Sequence, residues 1–93
     1  MQIKEVEKLT GIKDVNIRYY EKEGLIHPGR QANGYREYSD KDVELIRKIK
    51  ILRLLEIPVH DIKQILEGQA NLRDVMIKRL YELNIDYTAK YPI

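Results

Sequence analysis

The stretch GIKDVNIRYYEKEG, Gly11 to Gly24, decides the fold. Glycine bounds it at both ends. Before Gly11, Ile3, Val6 and Leu9 recur at helical spacing, which predicts a first helix near residues 2 to 10. After it, Asp14 can cap a second helix that carries Val15, Ile17 and Tyr20 and ends at Gly24. Two short helices joined by a brief glycine-containing turn have the helix-turn-helix shape.

Working outward, residues 25–38 change character. Pro28, Gly29 and Gly34 exclude a helix there. Asn33-Gly34 predicts a two-residue type I′ turn, which needs positive φ at both positions. The arms run from Leu25 to Arg30 and from Tyr35 to Tyr38, a small β-hairpin on a helical body. Ser39 opens a long helix, with Asp42 placed for a capping box and Val43, Ile46, Ile49 and Leu52 as its buried row. It stops before Pro58. A shorter helix with Val59, Ile62, Ile65 and Leu66 ends at Gly68. A last one starts near Asn71 or Leu72, carries Val75, Met76, Leu80 and Leu83, and fades around Tyr87.

Composition narrows the function. The chain has 93 residues, 43% apolar and 34% charged, which reads as one soluble globular domain. Its apolar runs, such as Val75 to Ile77, are far too short to cross a membrane. The opening MQIKEVEKLTG is not a signal peptide, so the expected location is cytoplasmic, by the nucleoid. With no cysteine there is no disulfide, no zinc ribbon and no thiol chemistry. A net charge of +2 is a weak signal, so any basic footprint must come from placement.

Catalysis is not expected. His27 and His60 stand in separate elements, without a neighbour that suggests a triad or a metal pair, and no glycine-rich phosphate cradle is present. No cofactor and no metal are expected. Recognition of a duplex is better supported. Asn16 to Lys22 place an amide, two bases and two tyrosines within two turns. Arg18 can pair with guanine or phosphate, Asn16 with adenine, and Tyr19 and Tyr20 can donate to phosphate oxygens. The hairpin adds Arg30 and Arg36, with Tyr35 and Tyr38 alternating along an arm; Tyr35 is expected to pack the hairpin onto the body. Arg47, Lys48, Lys50 and Arg53 crowd seven residues of the long helix and could present a second set of bases.

At this point the chain resembles the mercury-resistance-regulator (MerR) family of bacterial transcription regulators. The likeness covers residues 1 to about 68 and rests on KLTGI (Lys8 to Ile12), IRYYEKEGLI (Ile17 to Ile26), NGYREYSDKDV (Asn33 to Val43) and LRLLEIPVHDIKQIL (Leu52 to Leu66). It implies a mainly α, winged helix-turn-helix fold in residues 1–70, with 71–93 as a C-terminal helix and tail for dimerisation. It implies that the groove helix supplies Lys13, Asn16, Arg18, Tyr19 and Tyr20. The first wing supplies Arg36, with Tyr35 or Tyr38 supporting, and the second wing supplies Arg53. It further implies a homodimer that binds pseudo-palindromic double-stranded DNA between promoter elements, distorts it, and works with RNA polymerase. Met76, Leu80, Leu83 and Tyr87, spaced four, three and four, are the candidate pairing row, about two heptads long. The same residues could instead fold back onto the domain.

Two departures from the family pattern stand out. Lys13 takes the place of the usual Ser or Thr helix cap, and Val15 that of a base. The short C-terminus and the lack of cysteine predict no effector in this chain. The expected function is a sequence-specific DNA-binding transcription regulator. An excisionase-like architectural factor that bends DNA, and an interaction module that has lost DNA binding, remain as alternatives.

Overall fold

A computed structural model describes residues 1–83. The elements are α1 (Ile3–Thr10), α2 (Asp14–Lys22), β1 (Gly29–Arg30), β2 (Arg36–Glu37), α3 (Asp40–Leu54), α4 (Val59–Leu66) and α5 (Leu72–Leu83). They fall into two compact units, Met1–Glu56 and a second beginning at Ile57.

In the first unit, α1 packs against both α2 and α3. The buried side chains are those at helical spacing: Val6 from α1, Ile17 and Tyr20 from α2, and Val43, Ile46, Ile49 and Leu52 from α3. Leu25, Ile26 and Tyr38 join them from the connections. Each full burial of such an aliphatic side chain contributes about 1.5–3 kcal/mol. Thr10 is the buried polar residue here. Its hydroxyl donates to the Val6 carbonyl at 2.8 Å and accepts from the Ile12 amide at 3.2 Å, so it carries the chain out of α1 without an unpaired group.

The helix ends follow local chemistry. Past α2, the Leu25 amide donates to the Tyr20 carbonyl and the Gly24 amide to the Glu21 carbonyl, with Gly24 left-handed at φ 78°, a Schellman end. α3 opens with the expected capping box. Ser39 Oγ accepts from the Asp42 amide at 3.1 Å, and Asp42 Oδ2 accepts from the Ser39 amide at 2.8 Å.

The hairpin departs from expectation. β1 and β2 pair antiparallel, Gly29 with Glu37 and Arg30 with Arg36. Beyond them Gln31 donates to the Tyr35 carbonyl at 2.7 Å, which leaves a three-residue loop rather than a two-residue one. Gly34 is left-handed at φ 87°, but Asn33 is not, so the turn is not type I′. The Gly34 amide donates to the Gln31 carbonyl, and a left-handed glycine after such a turn is the three-residue G1-bulge arrangement. Asn33 Oδ1 accepts from the Tyr35 amide at 3.1 Å and holds the bend.

Tyr35 does not anchor the hairpin. It is 66% exposed, and Tyr38, at 1%, is the buried tyrosine. The period of two is the reason: residues 35 and 38 lie on opposite faces of the arm, and only one face meets the body. Burial also pushes the Tyr38 hydroxyl above its ordinary pKa. The chain start lies alongside. The Tyr38 amide donates to the Met1 carbonyl at 2.8 Å, and the Met1 ammonium reaches the Tyr38 carbonyl at 2.7 Å and Glu37 Oε1 at 2.6 Å.

In the second unit, α4 follows Pro58, buries Ile62 and ends at left-handed Gly68. Asn71 Oδ1 accepts from the Arg73 amide at 2.8 Å at the start of α5. Leu72, Ile77, Leu80 and Tyr81 of α5 are exposed.

Candidate nucleic-acid interface

The twist of α2 sorts the expected site residues into two groups. Lys13, Asn16, Arg18 and Tyr19 face outward and are exposed. Tyr20 lies three residues from Ile17, on the inward side, and is buried at 8% exposure. Neither Tyr20 nor Tyr38 therefore presents its ring to solvent, unlike the exposed Tyr19 and Tyr35. Tyr20 sits against Tyr19, with ring centroids 6.1 Å apart and tilted by 55°, so a buried ring backs an exposed one. Burial raises the pKa of Tyr20, and the nearby Arg53 charge opposes that shift.

The start of α2 also differs from expectation. Asp14 does not cap the helix; it is the first helical residue, and Lys13 takes the cap position with extended backbone and no side-chain bond. The cap comes from α1. Glu7 Oε2 accepts the Asp14 amide at 2.7 Å. The Asp14 carboxylate is then left to face Arg18 one turn on at 3.6 Å, and Lys4 at 4.0 Å, while Lys4 also meets Glu7 at 3.4 Å. The cations in these contacts are exposed, so the pairs are weak, and they align Arg18 along the helix rather than hold it.

The hairpin is tied to α2 by one residue that the sequence reading did not single out, Glu21. Arg36 Nε donates to Glu21 Oε1 at 2.6 Å and to Oε2 at 3.0 Å, and Arg30 stands 3.8 Å from Oε2. The Glu21 side chain is 19% exposed. The hydrogen bond from Arg36 holds the Glu21 carboxyl below the usual carboxylate range and raises the Arg36 guanidinium in turn. The signal was available in principle: one acid beside two tyrosines, and two arginines on the arms that follow. Nothing in a linear pattern, however, shows which acid the arginines meet. The result is an open depression of about 480 Å³ lined by Gln2, Ile3, Arg18, Tyr35 and Arg36. It brings groove-helix and wing residues to one edge.

The bases of α3 divide. Lys50 Nζ donates to the Thr10 carbonyl at 2.8 Å, and Arg47 donates to the Leu9 carbonyl at 3.3 Å and pairs with Glu44. Both serve the negative end of α1, where a cation is favourable, so the expected second set of bases is reduced. Arg53 is exposed in the last turn of α3. In the expected pairing row, Leu80 is exposed and Met76 half-buried; the Leu83 side chain and Tyr87 lie outside the described residues. Among the described residues no group of His, Cys, Asp or Glu could hold a metal ion, and no helix is long and apolar enough to cross a membrane.

A helix-turn-helix body with a hairpin sharing the outward edge of its second helix defines the winged helix-turn-helix class of DNA-binding proteins. The chain belongs to the MerR HTH family of regulatory proteins, whose pattern matches residues 1–69. It is 35% identical over 91 residues to the HTH-type transcriptional regulator HmrR of Rhizobium leguminosarum bv. viciae, covering 90% of this chain and 70% of that protein. It is 45% identical to HmrR of Sinorhizobium medicae, over 89% of this chain and 62% of that one. It is 42% identical to a probable heavy metal-dependent transcriptional regulator of Haemophilus influenzae, over 76% of this chain and 56% of that protein. The chain thus spans between about half and seven-tenths of the length of these relatives. They are transcription regulators, not enzymes, and DNA-binding transcription regulation is the class to which the chain belongs.

Proposed function

We propose that the chain reads a pseudo-palindromic promoter site as a homodimer, with α2 in the major groove and the hairpin as a wing beside it. The observation that carries this is the shared edge, where Arg18 of α2 lines one depression with Tyr35 and Arg36 of the wing. Lys13, Asn16, Arg18 and Tyr19 then meet the groove, Asn16 and Arg18 being the side chains able to pair bidentately with bases. Tyr35 and Arg36 meet the backbone, Arg53 adds a phosphate contact from α3, and Tyr20 and Tyr38 support from below. Residues 71–93 pair with a second copy through the Met76, Leu80, Leu83 and Tyr87 row. The dimer acts on transcription by distorting the duplex seen by RNA polymerase, in the cytoplasm. The heavy-metal dependence named for one relative finds no thiolate in these 93 residues to carry it.

Duplex binding titrated against salt tests the reading. Log K should fall linearly with log salt, by about 0.9 per neutralised phosphate. In sites selected from random DNA, Arg18→Ala should cost about 1–3 kcal/mol and relax preference at one position. Equal loss on every sequence would remove the base-reading role of Arg18. No salt-dependent binding to any duplex would remove the DNA reading altogether.

A further inference from the structure

The strongest contact between the groove helix and the wing is made by an acid, on a surface meant for a polyanion. Glu21 is the last acid before the end of α2, and its carboxylate accepts Arg36 Nε through both oxygens while facing Arg30 at 3.8 Å. The two arginines are directly paired across the hairpin, one on each strand. That hairpin has only two strand residues on each arm, which is too little to hold its own orientation. One of its two cross-strand pairs is arginine against arginine, a repulsive one. Glu21 answers both problems: its negative charge offsets the repulsion between the two arginines, and its bond to Arg36 fixes the hairpin to α2.

We propose that Glu21 is a positioning residue for DNA binding, whose carboxylate holds Arg30 and Arg36 against α2 so that groove helix and wing meet the duplex as one rigid piece. The inference rests on the DNA reading above. The bond engages Arg36 through Nε, so a phosphate can be met by its terminal amino groups while Glu21 keeps the stem in place. Without the tether, the wing would keep its anchors at Tyr38 and Met1 but gain freedom against α2 that binding must then remove, at a cost in affinity.

The sign of one substitution separates this from the plainer reading. Glu21→Gln raises the formal net charge from +2 to +3. Were Glu21 an ordinary surface carboxylate, its loss would tighten binding to any duplex. The positioning role predicts the reverse. With the full chain and random-sequence duplex DNA, Glu21→Gln should bind about tenfold more weakly, with a salt slope shallower by about 0.9 for each phosphate the wing no longer meets. Glu21→Asp keeps the charge, shortens the reach, and should weaken binding in the same direction. Circular dichroism should show native helix in both variants. If either variant fails to fold, Arg36→Lys answers instead, because lysine keeps the charge and lacks the Nε–H fork; the same loss of slope is expected. Unchanged or tighter binding by folded Glu21→Gln, or a full slope for Arg36→Lys, overturns the proposal. Wild-type protein that binds no duplex overturns the DNA reading and this role with it. Wild-type binding with an indifferent Glu21→Gln overturns the role alone.

Discussion

Single side chains in this protein do work at a distance from their own element. Glu7 belongs to α1 yet caps α2, and Lys50 belongs to α3 yet caps α1. The capping box of Ser39 and Asp42 was legible in the sequence because both partners lie within one turn. The Glu7 cap was not, because it spans seven residues and a turn, and Asp14 looked the better local choice. Replacing Glu7 by Ala leaves the Asp14 amide to water and removes a charge-assisted cap. The expected loss is about 1 kcal/mol of unfolding free energy, read from urea denaturation midpoints at constant slope. Asp14→Ala should cost much less, since the half-buried carboxylate meets Lys4 and Arg18, both exposed, at 4.0 and 3.6 Å.

At the scale of elements, the helices were readable from apolar spacing, and the structure returns α1 to α4 near their expected positions and starts α5 at Leu72, its expected end near Tyr87 lying outside the described residues. The hairpin was readable as a hairpin, but its turn type was not. Gly34 supplies positive φ in either geometry, and Asn33 serves here by its side-chain oxygen rather than by a left-handed backbone. The wing should also be the acid-sensitive element. Both carboxylates that hold it, Glu21 on Arg36 and Glu37 on the Met1 ammonium and Gln31, have folded pKa values below the ordinary 4.5. A depressed folded pKa contributes stability above the unfolded value, and that stability is lost as pH falls through the folded one. Below pH 4.5 the wing should therefore loosen. Amide exchange at Gln31, bonded across the loop to Tyr35, should quicken relative to Ile46 and Ile49 in the core. Wing and core amides losing protection together would contradict this.

For the whole molecule, the family pattern in the sequence identified the fold and the class of function, because the Arg-Tyr-Tyr-Glu and Gly-Tyr-Arg-x-Tyr-Ser runs sit at fixed order on the two elements that form the edge. Which tyrosine faces out was not legible, since Tyr19 and Tyr20, or Tyr35 and Tyr38, differ only by which face the body covers. Assembly belongs to this scale as well. Ile77, Leu80 and Tyr81 are exposed on α5, and the proposed dimer would cover this apolar area with a second copy. If they are covered that way, the melting temperature should rise with protein concentration, as mass action requires for any state stabilised by association. A melting temperature independent of concentration, with a mass near 11.1 kDa by light scattering, would set the proposed pairing aside.

The Glu7 cap has a consequence for anyone who would move the recognition helix elsewhere. A peptide of α2 alone is nine residues long, too short to be helical in water, and it leaves behind the carboxylate that closes its first turn. Transplanting α2 onto another scaffold would transfer its outward side chains without the means of presenting them. The smallest portable unit is α1, the turn and α2 together, supported by the α3 cation that closes α1, so on the proposed reading specificity would be exchanged by surface substitution and not by helix swapping.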